Sequence, residues 1–297
     1  MTKDKTLDKE LMAVGSGAAG VNGLPRPFLK WAGGKGRLLP ELAARVELAG
    51  PIRRYHEPFV GGGALFFELY RRGWLGDLQP VLSDSNINLI KTYQGLQQDV
   101  EAVIERLERH AARHCKEHYY AVRAEEPEDL ADHAARVIYL NRTCYNGLYR
   151  ENSRGKFNVP MGKYKKPAIC SPDNLRSAAR ALRGAELCCE PFTAVLDRAA
   201  PGDFVYCDPP YDPVSKTANF TAYAKGGFGE DAQRRLAETV AALRDKGARV
   251  LVSNSKTPLI ESLYQDCGTI EIVYAPRYVN SNAEKRGNVP EVLVRTY

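Results

Sequence analysis

Residues 52–70 read IRRYHEPFVGGGALFFELY, and this stretch decides the fold. Ile52–Phe59 has the texture of a short strand, Gly61, Gly62 and Gly63 make a tight turn, and Ala64–Tyr70 continues as a helix packed close behind it. Pro80–Asp84 reads as a second strand that ends in an acid. Strand, glycine turn, helix and strand form a βαβ unit, which requires a parallel sheet. Strand texture returns at Phe204–Cys207 and Arg249–Ser253; between them Leu236, Val240 and Leu243 mark one apolar helix face, with Gly247 as its stop. Two more short strands are predicted at Ile270–Tyr274 and Val292–Thr296. From about residue 86 to 140 the pattern is helical, with Val100, Ile104 and Leu107, then Val137, Ile138 and Leu140. The predicted architecture is an α/β, Rossmann-like sheet domain over residues 25–85 and 171–297. A helical recognition unit with a basic hairpin, 86–170, interrupts it, and residues 1–24 form a flexible leader.

The 297 residues are 44% hydrophobic and 26% charged, which excludes a disordered or fibrous chain. No apolar run approaches the roughly 18 residues of a membrane helix, and glycine and serine dilute the N-terminus too much for a secretory signal. Seven cysteines without a Cys-x-x-Cys pair fit a reducing cytoplasm, with Cys188 and Cys189 read as buried small apolar residues. Five scattered histidines have no zinc spacing, so no metal is expected. Lys+Arg 42 against Asp+Glu 36 leaves +6, and the excess is local. Arg142, Arg150, Arg154, Lys156, Lys163, Lys165 and Lys166 face a single acid, Glu151, with Tyr145, Tyr149, Phe157 and Tyr164 interleaved. Cations contact phosphates and aromatics stack on or wedge between bases, although a solvated basic loop is the plain alternative.

Two constellations carry chemistry. In the first, Glu57, Phe59, Gly61 and Gly63 at a strand-to-helix turn are followed about 20 residues on by Asp84, at the end of the next strand. That spacing suits an adenosine-bearing cofactor whose ribose the acid would hold. In the second, Asp208-Pro209-Pro210-Tyr211 follows an apolar strand. Two prolines stiffen the loop and remove two donors, leaving a carboxylate, prolyl carbonyls and a ring. That set suits an exocyclic amino group on a flat base. A nicotinamide enzyme would use the glycine turn but leave Asp208–Tyr211 unexplained, and position 66, where a third glycine is expected, is Phe. A non-catalytic DNA-binding protein would need neither constellation.

Phe28-Leu29-Lys30-Trp31-Ala32-Gly33-Gly34-Lys35, Glu57-Pro58-Phe59-Val60-Gly61, Asn141-Arg142, Tyr145-Asn146-Gly147-Leu148, Phe157-Asn158-Val159-Pro160, Tyr164-Lys165-Lys166-Pro167, Asp208-Pro209-Pro210-Tyr211 and Thr217-Ala218-Asn219-Phe220-Thr221 occur in that order. Together they resemble the Dam family of DNA adenine-N6 methyltransferases, from about Arg26 to Tyr297. Thr143-Cys144 and Met161 depart from the family's pattern in the hairpin. The resemblance implies S-adenosyl-L-methionine as methyl donor, with Trp31, Lys35, Asp84 and Asp208 at cofactor-contacting positions. Lys35, which a sulfonium would repel, pairs in that picture with the methionyl carboxylate or a nearby acid. The resemblance also implies a flipped adenine under a loop carrying Asn219 and Phe220, and a hairpin that reads GATC in double-stranded DNA through Tyr145, Asn146, Leu148, Arg150, Asn152 and Pro160, with Lys30. No membrane and no obligatory protein partner are implied.

Overall fold

In the computed structural model, which describes residues 23–31, 33–214, 228–276 and 288–297, the described strands pair into one seven-stranded mixed sheet. They are β1 (Tyr55–Glu57), β2 (Val81–Asp84), β3 (Glu186–Cys189), β4 (Phe204–Cys207), β5 (Arg249–Ser255), β6 (Thr269–Pro276) and β7 (Asn288–Arg295), in the order β3-β2-β1-β4-β5-β7-β6. The first five run parallel, and β7 enters antiparallel between β5 and β6. The described helices are α1 (Leu39–Leu48), α2 (Ala64–Arg71), α3 (Ile87–Gln98), α4 (Val100–Ala112), α5 (Lys116–Ala124), α6 (Leu130–Thr143), α7 (Pro172–Leu182), α8 (Val195–Arg198), α9 (Glu230–Asp245) and α10 (Pro258–Tyr264).

The period of two along a strand sorts the core. Phe204 and Tyr206 of β4 join Leu42, Leu65, Leu89 and Leu175 from α1, α2, α3 and α7. Val205 and Cys207 join Val195, Leu236 and Ile260 from α8, α9 and α10 on the opposite face. All four strand residues are buried, as expected for a central parallel strand covered by helices on both faces. From β1 the order runs to β2 and β3 on one side and to β4 and β5 on the other. The carboxyl ends of β1 and β4 therefore flank the point where the winding reverses, where open α/β sheets bind their ligands.

The helical segment is built from capped units. Asn86 opens α3 by accepting from the Asn88 and Leu89 amides, Asp99 caps α4 and Asp129 caps α6. α3 packs against β2, β3 and α7 as well as α4 and α6, so sheet and insert share one apolar core. Its crossing with α6 is close: a Cβ on Gly95 would lie 2.3 Å from the Leu130 carbonyl oxygen.

Several sequence expectations change. β1 is three residues rather than the span 52–59, because Pro58 lacks a donor and the chain turns at once toward Gly61. β3 was not expected; among the described residues it pairs on one side only, with β2. Cys188 and Cys189 on it are half-buried and exposed, not core, and all seven cysteines are free. β6 and β7 are longer than predicted, at eight residues each. Of the leader, residues 1–22 lie outside the described residues. Among the described residues no helix is long and apolar enough to cross a membrane.

Candidate active site

The glycine turn after β1 is built against side chains of this chain. Gly61 has φ 46°, and a Cβ there would sit 2.9 Å from Trp31 Cδ1, so the indole lies across the turn. Gly63, at the N-cap of α2 with φ 65°, is hemmed in by Tyr93 and Phe67, so packing already demands glycine there. Asp84, at the end of β2, holds the same turn: its Oδ2 accepts from the Gly61 amide at 3.2 Å and its Oδ1 from the Asn86 amide at 2.9 Å. Burial raises the Asp84 carboxyl above its ordinary range, and these amide bonds oppose the rise. Phe59 stacks on Phe192 at 5.3 Å and meets Phe228 edge-on at 5.6 Å.

Glu57, expected as a cofactor contact, turns its carboxyl to a neighbour on the same strand. It is 2% exposed, and its Oε2 accepts from the Tyr55 hydroxyl at 2.7 Å. Burial pushes its carboxyl up to about 8, the charge of Asp208 acting in the same direction. At neutral pH the group is protonated, which keeps a second negative charge away from Asp208.

Asp208 follows β4 directly. Its Oδ1 pairs with Lys35 Nζ at 2.8 Å and accepts from Ser253 Oγ at 2.9 Å. The Lys35 side chain is 8% exposed and that of Asp208 19%. Lys35 also donates to the Gly33 carbonyl at 2.8 Å and lies over the Tyr211 ring at 4.3 Å. Lys35 is thus paired with a nearby acid, one of its two expected partners. Burial raises the Asp208 carboxyl, while the charge and hydrogen bonds of Lys35 and Ser253 pull it back down. The Tyr211 hydroxyl donates to Glu291 Oε2 on β7 at 2.7 Å. Pro209 is buried and Pro210 exposed.

The basic segment is an irregular hairpin, pinned by the Tyr145 amide to the Pro160 carbonyl at 2.9 Å and the Asn158 amide to the Arg150 carbonyl at 3.0 Å. Tyr145 is 53% exposed and Leu148 44%, and Pro160 and Arg150 are also exposed. Asn158 Oδ1 accepts from Arg150 Nε at 2.7 Å, so the guanidinium fork is held on one side. Asn146 is exposed and has φ 54°, the only positive value among the described non-glycine residues. Asn152 spends its Oδ1 on the amides of Arg154 and Lys156, which closes the hairpin tip. Lys30 lies across Gly147 and over the Tyr164 ring at 4.5 Å. Two expectations fail here. Arg142 is half-buried and donates to the Phe28 carbonyl at 3.0 Å, so it is no part of the basic surface. Tyr149 and Phe157 pack inward rather than toward a base: Tyr149 lies against Trp31 at 5.1 Å and Phe157 at 5.6 Å.

Asn219 and Phe220 lie outside the described residues. Sequence reasoning missed Phe192, Ser253 and Glu291. Ser253 on β5 and Glu291 on β7 reach predicted residues through the pairing of the sheet, and Phe192 does so from the short helical turn after β3; no local motif marks any of them.

The raised Glu57 carboxyl has a consequence for stability. Between its ordinary value near 4.5 and about 8, the folded chain keeps a proton that the unfolded chain releases. Stability therefore falls as pH rises through that window and levels off above it. Glu57→Gln cannot ionise, so denaturant unfolding at a series of pH values should show its stability relative to wild type improving from about pH 5 to 8. Parallel stability curves would mean that Glu57 is already ionised in the folded protein.

A family model described as "D12 class N6 adenine-specific DNA methyltransferase" matches residues 31–276. A type II methyltransferase of Lactococcus lactis subsp. cremoris is 38% identical over 280 residues, which cover 92% of this chain and 95% of that protein. One of Methanocaldococcus jannaschii is 38% identical over 289 residues, covering 92% and 99%. A DNA adenine methylase of Escherichia coli is 36% identical over 277 residues, covering 90% and 94%. With the family model and these relatives spanning most of its length, and a turn, an acid and a proline-stiffened loop gathered where the sheet reverses, the chain belongs to the D12 class of N6 adenine-specific DNA methyltransferases.

Proposed function

We propose that the crevice between the Gly61 turn and the Asp208 loop transfers a methyl group from S-adenosyl-L-methionine to N6 of an adenine rotated out of double-stranded DNA, within GATC. The observation that carries this reading is the Asp208 carboxylate, oriented by Lys35 and Ser253 at 2.8 and 2.9 Å across the winding reversal from Asp84. Bound S-adenosyl-L-methionine supplies an electrophilic methyl group on a sulfonium. The residues present fit that cofactor. Each Asp84 oxygen already takes one amide but has a second lone pair for a ribose hydroxyl, and Trp31, Phe59 and Phe192 give apolar surface beside it.

The adenine amino group is a poor nucleophile because its lone pair is delocalised into the ring. Asp208 and the Pro209 carbonyl would accept its two N–H hydrogens, so the nitrogen moves toward tetrahedral geometry and the lone pair localises. The carboxylate then stabilises the positive charge that develops on nitrogen as the methyl arrives, and the proton leaves afterwards. Tyr211, with Lys35 against one face, offers its other face to the base. Rotating the adenine out of the duplex costs roughly a few kcal/mol, for which Tyr145 would fill the gap. Residues 86–170 act as the target-recognition unit on the catalytic part, 25–85 and 171–297. Arg150 carries the fork that reads guanine O6 and N7, Leu148 and Pro160 meet a thymine methyl, and Lys30 reaches the guanine beside the target. The setting is the cytoplasm, where such DNA is accessible.

Asp208→Ala should lower the single-turnover transfer rate by roughly 10²–10³, the scale of losing a preorganised polar group, while DNA binding through the hairpin survives. A near-normal rate would sink the mechanism. Methyl transfer to GATC duplexes and to each single-base variant tests the target. Arg150→Ala should relax discrimination at one guanine by about 1–3 kcal/mol. If it slows every duplex alike, Arg150 is a phosphate clamp; if wild type has no preference for GATC, the specificity is wrong.

A further inference from the structure

The Asp208–Asp212 loop is held from behind by residues that no part of the chemistry uses. Gln233 lies on α9 and Asn254 on β5, and both are 0% exposed. Gln233 Nε2 donates to the Pro210 carbonyl at 2.9 Å, and Gln233 Oε1 accepts from Asn254 Nδ2 at 3.0 Å. Asn254 Oδ1 in turn accepts from the Asp212 amide at 3.0 Å and the Ser255 amide at 2.8 Å. Every hydrogen bond in this chain has its donor opposite an acceptor.

The composition of the loop explains why such a brace is needed. Pro209 and Pro210 have no N–H, so the loop cannot hold itself through its own amides there and must be held by its carbonyls. A primary amide is the side chain that can donate to one carbonyl and accept from a neighbouring amide at once. Along α9, Gln233 also breaks an apolar stripe: Leu236, Val240 and Leu243 follow it on the buried face, where packing alone would place another apolar side chain.

We infer that Gln233 and Asn254 are positioning residues for methyl transfer: by fixing the Pro210 carbonyl and the Asp212 amide, they aim the Asp208 carboxylate and the Pro209 carbonyl at the nitrogen that receives the methyl. This rests on the reading of the loop as the adenine site. Gln233→Met keeps the length and removes both hydrogen bonds. Gln233→Glu keeps the shape and, while protonated, still donates to Pro210 and accepts from Asn254; on ionising it loses the donor.

The test is single-turnover transfer to a GATC duplex with cofactor and DNA saturating, together with the affinity for each. Gln233→Met should slow transfer about 10²-fold, the scale of a small misplacement of reacting groups, with both affinities within about twofold of wild type. Gln233→Glu should stay close to wild type at acidic pH, relative to wild type measured at the same pH, and fall toward the Met variant as pH rises. If Gln233→Met transfers at the wild-type rate, or if its loss lies wholly in cofactor or DNA affinity, the positioning role is overturned. A pH-independent defect in Gln233→Glu also overturns it, because that outcome reports damaged packing. If wild type methylates no adenine, the loop reading itself fails, which the wild-type arm shows separately.

Discussion

An ammonium and a carboxylate 2.8 Å apart, both largely withdrawn from water, set the conditions for the rest of the site. Burial alone would favour a neutral Asp208, and a neutral carboxyl is a weaker acceptor for an amino group. Lys35 and the Ser253 hydroxyl work against that burial. The charge of Glu291, bonded to the Tyr211 hydroxyl, acts against the pair by raising the Asp208 carboxyl, so a second nearby carboxylate would weaken it further. Glu57, pushed up to about 8 by burial, adds no such charge while it keeps its proton. Breaking one partner of such a pair leaves an uncompensated buried charge, commonly a loss of about 3–5 kcal/mol, which ties the segment before α1 to the loop after β4.

The same segment carries the other half of the molecule. Lys30 and Trp31 stand a few residues before Lys35, and both are engaged by the basic hairpin. Asn141 of α6, 1% exposed, accepts from the Lys30 amide and donates to the Lys30 and Gly147 carbonyls. Trp31 lies between the Gly61 turn and Tyr149, and Asn88, just after Asp84, donates to Glu151 of the hairpin at 2.9 Å. A hairpin mounted this way is supported by the elements that shape the glycine turn, so its exposed groups are placed relative to the acid at Asp208 by packing rather than by a free linker.

What was legible in the sequence follows from how local each signal is. β4 is a run of four residues, Phe204–Cys207, ending at Asp208 and two prolines, and its bounds came out as predicted; the glycine turn and Asp84 likewise sit where the spacing puts them. β3 was invisible because Glu186–Cys189 is a short edge strand, half-buried, without alternation. Counting charges misled at Arg142, and counting aromatics at Tyr149 and Phe157, since a tally cannot say which side chains turn inward. Glu57 shows the same limit: the burial of its side chain and its bond to the Tyr55 hydroxyl cannot be read from the sequence. Ser253, Gln233 and Asn254 are ordinary polar residues in a strand and a helix, and only the pairing of β5 with β4 and the packing of α9 bring them to the loop.

The charge state of Asp208 is the most direct point of attack. The single-turnover transfer rate, measured against pH with cofactor and DNA saturating, should fall on the acidic side as Asp208 takes up a proton. Lys35→Met removes the charge that opposes burial, so its acidic limb should move to higher pH than that of wild type. An acidic limb that stays in place would mean that Lys35 does not hold Asp208 ionised, and the ion pair would then be scaffolding alone.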